Sequence, residues 1–152
     1  MVNYVIYTDG SYKKNLKLGA SAYVIFKDDV LVAQFSKVFD DPETLVAWNV
    51  GPEIKACQYA LIRILTFEND FETEINIDIY HDYVGVADWA TGKWKKTQHK
   101  FAKDYVNFIK DLSKNVHLNF HKVKGHSGNK YNDLVDSLCT KAYKEYNHER
   151  NN

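Results

Sequence analysis

VNYVIYTDGS, residues 2–11, is an apolar strand-like run that ends in an aspartate and a glycine. Apolar and polar side chains alternate over residues 2–8, which predicts strand one. Asp9 follows at the predicted strand end, and Asp-Gly is equally typical of a turn. Because several strand ends can meet at one edge of a sheet, Asp9 is a candidate functional carboxylate.

The next thirty residues predict two more strands, Leu18–Lys27 and Val30–Phe39. The polar sequence Lys-Asp-Asp at 27–29 predicts a tight turn, so these strands should form a hairpin. A loop is expected over residues 40–42.

The apolar period changes to helical spacing after Pro52, a residue favoured at the first position of a helix. Alternating isoleucines at 75, 77 and 79 then predict a fourth strand that runs into Asp82. The remaining predicted elements are helical segments over 83–91 and 98–113, a fifth strand over 116–120 and a last helix over 129–147.

This order, βββαβ(αα)βα, predicts an α/β fold with a mixed five-stranded sheet flanked by helices. The early hairpins are antiparallel, whereas strands reached through helical crossovers are usually parallel. The length of 152 residues predicts one domain. We expect that domain over 1–147 and a disordered tail over 148–152.

Composition indicates an ordinary globular protein with zero net charge, from 20 basic and 20 acidic side chains. Cys57 and Cys139 fall at apolar helical positions, so we expect two buried free thiols and no disulfide. The N-terminus does not resemble a signal peptide, and no apolar stretch reaches the length of a membrane span. A cytoplasmic protein is expected.

Basic residues are concentrated in one short region in which tryptophans are interleaved. A neutral protein that binds a polyanion must concentrate its cations locally, because phosphate contacts supply most of the non-specific affinity. A solvated helix face is the ordinary alternative, but the tryptophans favour stacking on nucleic acid. The residues concerned are Trp89, Lys93, Trp94, Lys95, Lys96, Lys100 and Lys103.

Three further acids share the character of Asp9, since Glu53, Asp82 and Asp136 also lie at or beside changes of pattern. Two of them have a structural alternative: Glu53 could complement a helix dipole, and Asp82 could be an N-cap. Two bare carboxylates about 4 Å apart repel by roughly 4 kcal/mol at an effective dielectric of 20. A cluster of four would therefore raise its own pKa values or bind divalent metal.

His126 lies in the loop Gly-His-Ser-Gly at 125–128, where glycines on both sides leave it free to move. A loop histidine without a role is the ordinary alternative. A zinc site with His121 and Cys139 matches no usual ligand spacing. The run is not a serine-hydrolase elbow either, because Asn129 stands where that motif needs glycine.

Taken jointly, these motifs resemble the ribonuclease H type 1 family over about residues 2–145. The resemblance rests on YTDGS (7–11), Asn49 four residues before Glu53, Asp82 after strand four, GKWKK (92–96) and VKGHSGNKYNDLVDSL (123–138). The runs NVGPEIKA and HDYVGVADWATGKWK look most like the bacterial and viral branch. An N-terminal hybrid-binding domain is expected to be absent, since strand one begins at residue 2.

The resemblance implies a ribonuclease H fold and an endoribonuclease that hydrolyses the RNA strand of RNA·DNA hybrids, giving 5′-phosphate and 3′-hydroxyl ends. It implies that Asp9, Glu53, Asp82 and Asp136 ligate two Mg²⁺ ions, about 4 Å apart in such sites, with Mn²⁺ as a substitute. His126 matches a mobile histidine that assists proton transfer or product departure. No obligate protein partner is evident, and a monomer is expected.

The resemblance also implies two groups of substrate contacts. Gly10, Ser11 and Asn49 match positions that touch the RNA strand, where the 2′-hydroxyl distinguishes RNA from DNA. The segment with Trp89, Lys93, Trp94, Lys95 and Lys96 resembles the basic protrusion that grips the DNA strand.

Two departures from the family pattern lie beside Glu53. Val50 replaces an asparagine and is expected to weaken a minor-groove contact, and Pro52 is expected to shift the start of the helix. The alternative function is a non-catalytic nucleic-acid-binding or accessory module of the same fold. Another nuclease of the superfold, such as a resolvase or exonuclease, is disfavoured by GHSGNKYND at 125–133.

Overall fold

The computed structural model describes residues 1–68, 73–124 and 129–150. Its strands are β1 (Val2–Lys13), β2 (Leu18–Lys27), β3 (Val30–Phe39), β4 (Ile75–His81) and β5 (Val116–Lys122). Its helices are α1 (Pro42–Leu45), α2 (Val50–Phe67), α3 (Gly85–Ala90), α4 (Lys100–Leu112) and α5 (Lys130–Arg150).

The strands form one mixed sheet in the order β3-β2-β1-β4-β5. β1, β2 and β3 are antiparallel neighbours, while β4 runs parallel to β1 and β5 parallel to β4. The change from antiparallel to parallel pairing follows from the connections, because tight turns join the first three strands and helical crossovers join the rest. The predicted α/β architecture is confirmed.

Helices cover both faces of this sheet. On one face α2 packs on β1 and β2, and α4 packs on α2, in a core that includes Ile6, Ile77 and Tyr105. On the other face α5 lies across β1, β2 and β3, where buried Ala20 and Ala22 of β2 leave room for the helix. β1 is thus held by a neighbouring strand on each side, by α2 on one face and by α5 on the other, so its side chains have fixed positions.

Strand β1 is longer than the sequence pattern predicted. It continues through Asp9 to Lys13, and Asp9 pairs with Ala22 in the interior of the β1–β2 ladder. The prediction that Asp9 ends its strand is therefore wrong. The Asp-Gly-Ser sequence forms no turn because β2 keeps pairing with it.

The helix that carries Glu53 begins at Val50, so the prediction of Pro52 at its first position is also wrong. A proline in the first turn is tolerated because the N–H it lacks would have no partner within the helix. The predicted loop at 40–42 leads into α1, a helix too short to leave a period in the sequence. Asp41 caps α1 by accepting a hydrogen bond from the Thr44 backbone nitrogen at 2.9 Å.

The last helix extends beyond its predicted end. α5 continues to Arg150, so residues 148–150 are helical and not part of a tail, while 151–152 lie outside the described residues. Cys57 and Cys139 are both free and buried, as predicted. Across the described residues, none of the helices is long and apolar enough to cross a membrane.

Candidate active site

Close contact between β1 and the start of α2 brings the first two carboxylates together. A Cβ on Gly10 would lie 2.6 Å from the carbonyl carbon of Pro52, so only glycine permits this approach. The buried Ser21 hydroxyl donates to the Pro52 carbonyl at 2.6 Å and ties β2 to the same turn. Asp9 and Glu53 are consequently held side by side, with 7% and 2% of their surfaces exposed.

Asp82 joins them from the end of the neighbouring strand. β4 is parallel to β1 with Tyr80 beside Tyr7, so the residues that follow Tyr80 emerge beside Asp9. A 2.9 Å hydrogen bond between Nδ1 of the buried His81 and the Tyr83 carbonyl fixes the turn around Asp82. Asp82 is not the N-cap of α3, because Val84 occupies that position.

The predicted carboxylates meet in one cavity of about 240 Å³. Asp9, Glu53 and Asp82 each offer an oxygen atom, and these atoms lie within 4.8 Å of one another. The residues that line the cavity are Asp9, Gly10, Ser11, Asn49, Glu53, Asp82, Asn132 and Asp136. All four predicted acids and all three predicted RNA contacts are among them.

The cavity is electrostatically unfavourable without a cation. The pKa of Asp9 is raised to about 8, chiefly by burial and then by the charges of Asp82 and Asp136. Burial also holds the pKa of Glu53 well above its usual range, with Asp82 and Asp9 as the next causes. Glu53 Oε2 and Asp82 Oδ1 are buried without a hydrogen-bond partner. Oxygen atoms of this kind are the ligands that hard divalent cations prefer, so these residues fit a metal site.

Asn132 is the site residue that the sequence predictions did not include. Only 6% of its surface is exposed, and its side chain lines the cavity from α5. Asn129 positions this end of the helix by accepting hydrogen bonds from the backbone nitrogens of Tyr131 and Asn132 at 3.1 Å each. The signal was present, because Asn132 and Asp136 are four residues apart on one helical face.

A second, larger concavity of about 920 Å³ is basic. Its lining residues are Trp89, Lys95, Lys96, Thr97, Gln98, His99, Lys103, Val106 and Asn107, none of which is acidic. Three lysines of the predicted basic region, Lys95, Lys96 and Lys103, are therefore on its wall. Lys93 is exposed on the preceding turn.

The two tryptophans of this region are not freely presented. Trp89 is 8% exposed, and Trp94 meets it edge-on with ring centroids 5.1 Å apart. Trp89 thus forms part of the cleft wall, and Trp94 supports it from the side. The predicted role of His126 is untested, because residues 125–128 lie outside the described residues.

Comparison with known proteins agrees with this geometry, since the RNase H family model matches residues 2–144. The chain belongs to the RNase H family. A Wolbachia pipientis ribonuclease H is 32% identical over 150 residues, covering 91% of this chain and 93% of the relative. A Clostridium botulinum ribonuclease H is 28% identical over 161 residues, covering 97% of this chain and 99% of the relative.

Solved structures share the fold at low identity. The N-terminal RNase H domain of a Mycobacterium tuberculosis protein has a TM-score of 0.76 at 17% identity, covering 99% of both chains. LC11-RNase H1, solved in complex with an RNA/DNA hybrid, has a TM-score of 0.68 at 17% identity, covering 92% of this chain and 99% of that one. Family membership makes this protein a ribonuclease H, a metal-dependent hydrolase of RNA in RNA–DNA hybrids.

Proposed function

We propose that the protein is an endoribonuclease whose four carboxylates hold two Mg²⁺ ions, and that it leaves 5′-phosphate and 3′-hydroxyl ends. The observation that carries the proposal is the cavity itself. Asp9, Glu53, Asp82 and Asp136 all line it, and two of them present buried oxygens without a partner. A fold that buries acids in this way is stabilised when cations bind between them.

The donor set favours Mg²⁺, with Mn²⁺ as a substitute. Within the described parts of the chain, the residues that line the cavity offer oxygen donors and no thiolate or imidazole, which suits hard cations rather than zinc. When bound, such ions supply an activated water and neutralise charge that develops at the phosphate. Asp9 and Glu53 would be the inner ligands because they are buried, and Asp136 would close the site from α5 because it is exposed.

The two concavities suggest how the substrate is held. Gly10, Ser11 and Asn49 line the acidic cavity, where we propose that they meet the RNA strand. The basic cleft with Lys95 and Lys96 would hold the DNA backbone, because cations without neighbouring acids attract phosphate. We further propose that His126 assists proton transfer or product departure, and that the enzyme acts as a monomer in the cytoplasm.

The proposal is tested with four end-labelled substrates: RNA·DNA hybrid, double-stranded RNA, single-stranded RNA and duplex DNA. We expect cleavage of the RNA strand in the hybrid alone, with Mg²⁺ or Mn²⁺ and not with EDTA. Treatment of the products with a phosphatase and with a 3′-end ligase identifies the end groups. Products with 3′-phosphates would contradict the proposed chemistry.

The alternative is a non-catalytic module that binds nucleic acid. Folded protein that cuts none of the substrates with either metal would favour it. Titration of Mg²⁺ into the metal-free protein by calorimetry then separates the two, because a binding module has no need of a functioning metal site. Saturable binding that is abolished in Asp9→Asn supports the proposed ligands.

A further inference from the structure

A four-residue turn, 46–49, connects α1 to α2 between the acidic cavity and the basic cleft. At one end Asn49 lines the acidic cavity. α1, which precedes the turn, carries Glu43, whose carboxylate lies 3.7 Å from the ammonium of Lys100, the first residue of α4. His99, which precedes Lys100, lines the basic cleft. Nucleic acid that spans the two concavities would pass this turn.

Trp48 occupies the turn in an unusual way. Its side chain is 64% exposed, and its backbone is left-handed with φ of 58°. Glycine or asparagine is the usual choice for such a conformation, which disfavours a large side chain. A single exposed apolar residue is ordinary, but an exposed tryptophan that also strains its backbone beside a functional cavity points to a function.

The backbone of the turn is held firmly. The Trp48 nitrogen donates to the Leu45 carbonyl at 3.1 Å, and the Val50 nitrogen donates to the Ala47 carbonyl at 3.2 Å. A Cβ on Gly51 would overlap the backbone of Thr44, so α1 packs directly on the start of α2. The indole is therefore presented on a fixed support, and little conformational entropy is lost when it meets a ligand.

We propose that Trp48 is a substrate contact, and that its indole packs against the face of a nucleotide as the hybrid passes from the acidic cavity to the basic cleft. The proposal rests on the proposed function, which supplies the ligand. An aromatic ring suits a nuclease without sequence preference, because every nucleotide offers an apolar face. Trp48 also differs from Trp89, whose 8% exposure leaves it in the cleft wall.

The test compares three substitutions. Trp48→Asn removes the ring and relieves the backbone, so loss of folding does not explain a loss of affinity. Trp48→Phe keeps an aromatic ring and the same backbone strain. Ile62→Gln is the control, because Ile62 is 41% exposed on α2, roughly 14 Å along the helix from Glu53. KM and kcat are measured on the hybrid with Mg²⁺ at several salt concentrations, and the dissociation constant is measured by anisotropy in EDTA.

We expect Trp48→Asn to raise KM and the dissociation constant on the order of tenfold, the effect of removing one aromatic stack. The value of kcat should change little, and the salt dependence should stay unchanged because an apolar contact releases no counterions. Trp48→Phe should recover most of the affinity, and Ile62→Gln should resemble the parent.

Unaltered hybrid affinity in Trp48→Asn would overturn the proposal, and so would an equal loss in Trp48→Phe. The anisotropy measurement keeps this result separate from the proposed function. A parent protein that binds hybrid through Trp48 but does not cut it would leave the contact standing and remove the catalysis.

Discussion

The acidic cavity and the basic cleft differ in sign of charge and in burial. The cavity is small, about 240 Å³, and buries the side chains of Asp9 and Glu53 at a cost in free energy that a bound cation or protonation offsets. The cleft is about 920 Å³ and presents exposed lysines such as Lys95 and Lys96. Exposed charges cost little to maintain and act mainly on association. Substitutions in the cavity should therefore change catalysis and stability, and those in the cleft should change affinity and its salt dependence.

The largest expected effect comes from Asp9→Asn, which keeps the shape of the side chain and removes a proposed metal ligand. We expect kcat on the hybrid to fall by roughly 10³-fold or more, since a metal held by Asp9 would supply both the nucleophile and charge neutralisation. Hybrid binding should be largely kept because the cleft is unchanged. Steady-state kinetics and a binding assay measure the two.

Asp133→Asn is the matched control, because Asp133 is an exposed acid of α5 one turn before Asp136. It should retain the parent activity. An Asp9→Asn enzyme as active as that control would remove Asp9 from the metal site and break the division between the two concavities.

The second prediction concerns the pH dependence of stability in metal-free protein. Because the pKa of Asp9 rises from 3.8 to about 8 on folding, the folded state binds more protons than the unfolded chain between these values. Stability must then fall as pH rises from about 4 towards 8. We expect Asp9 to account for a loss of up to about 4 kcal/mol between pH 5 and pH 8, at roughly 1.4 kcal/mol for each pH unit between the two pKa values.

Thermal unfolding in EDTA at pH 5 and pH 8 measures this loss, and the difference between the parent and Asp9→Asn isolates Asp9. The comparison is necessary because His81, whose pKa is lowered by burial, acts in the opposite direction. Saturating Mg²⁺ should also remove the contribution of Asp9 to the pH dependence of stability. If stability falls equally with pH in the parent and in Asp9→Asn, burial of Asp9 carries no such electrostatic cost.

A smaller effect is expected in the cleft, from the triple substitution of Lys93, Lys95 and Lys96 by alanine. KM should rise several-fold at moderate salt while kcat is kept. The slope of log KM against log salt should flatten by roughly 0.7–0.9 for each phosphate that is no longer neutralised. A triple alanine variant at Lys110, Lys141 and Lys144, three exposed lysines of α4 and α5, is the control of equal charge. An unchanged slope would mean that the cleft lysines are only a solvated face.

The sequence predicted the members of the cavity better than the elements that carry them. Asp9, Glu53, Asp82 and Asp136 were found because carboxylates that need a cation stand out from ordinary turn and cap residues once their number and order are considered together. The predicted secondary structure around these carboxylates is partly wrong. Asp9 lies inside β1 because the β1–β2 ladder continues past it, and a ladder of this kind depends on a partner strand that no local pattern reveals.

The other features that the sequence did not predict also depend on tertiary packing. The four residues of α1 are too few to show a helical period, and no local pattern predicts a left-handed backbone at a tryptophan such as Trp48. The sequence places Asn132 on one helical face with Asp136, but the packing of α5 decides that this face lines the cavity. The burial of Trp89 depends on Tyr83 and Trp94 packing beside it, so the lysines of that region were easier to interpret than its tryptophans.

The smallest expected effect lies between the two concavities, at the cap of α1. Asp41 accepts hydrogen bonds from both the backbone and the hydroxyl of Thr44, so Asp41→Ala should cost about 1 kcal/mol, the usual loss for an N-cap. For a chain of 152 residues this is a fall of roughly 2–4 °C in the unfolding midpoint. Asp41→Ser, which can still cap the helix, should recover most of the lost stability.

Because α1 supports the turn at 46–49, a small rise in KM without a change in its salt dependence should accompany the loss of stability in Asp41→Ala. A lower midpoint with KM unchanged would show that the turn keeps its position without the cap, and that the cavity and the cleft are held in place independently of α1.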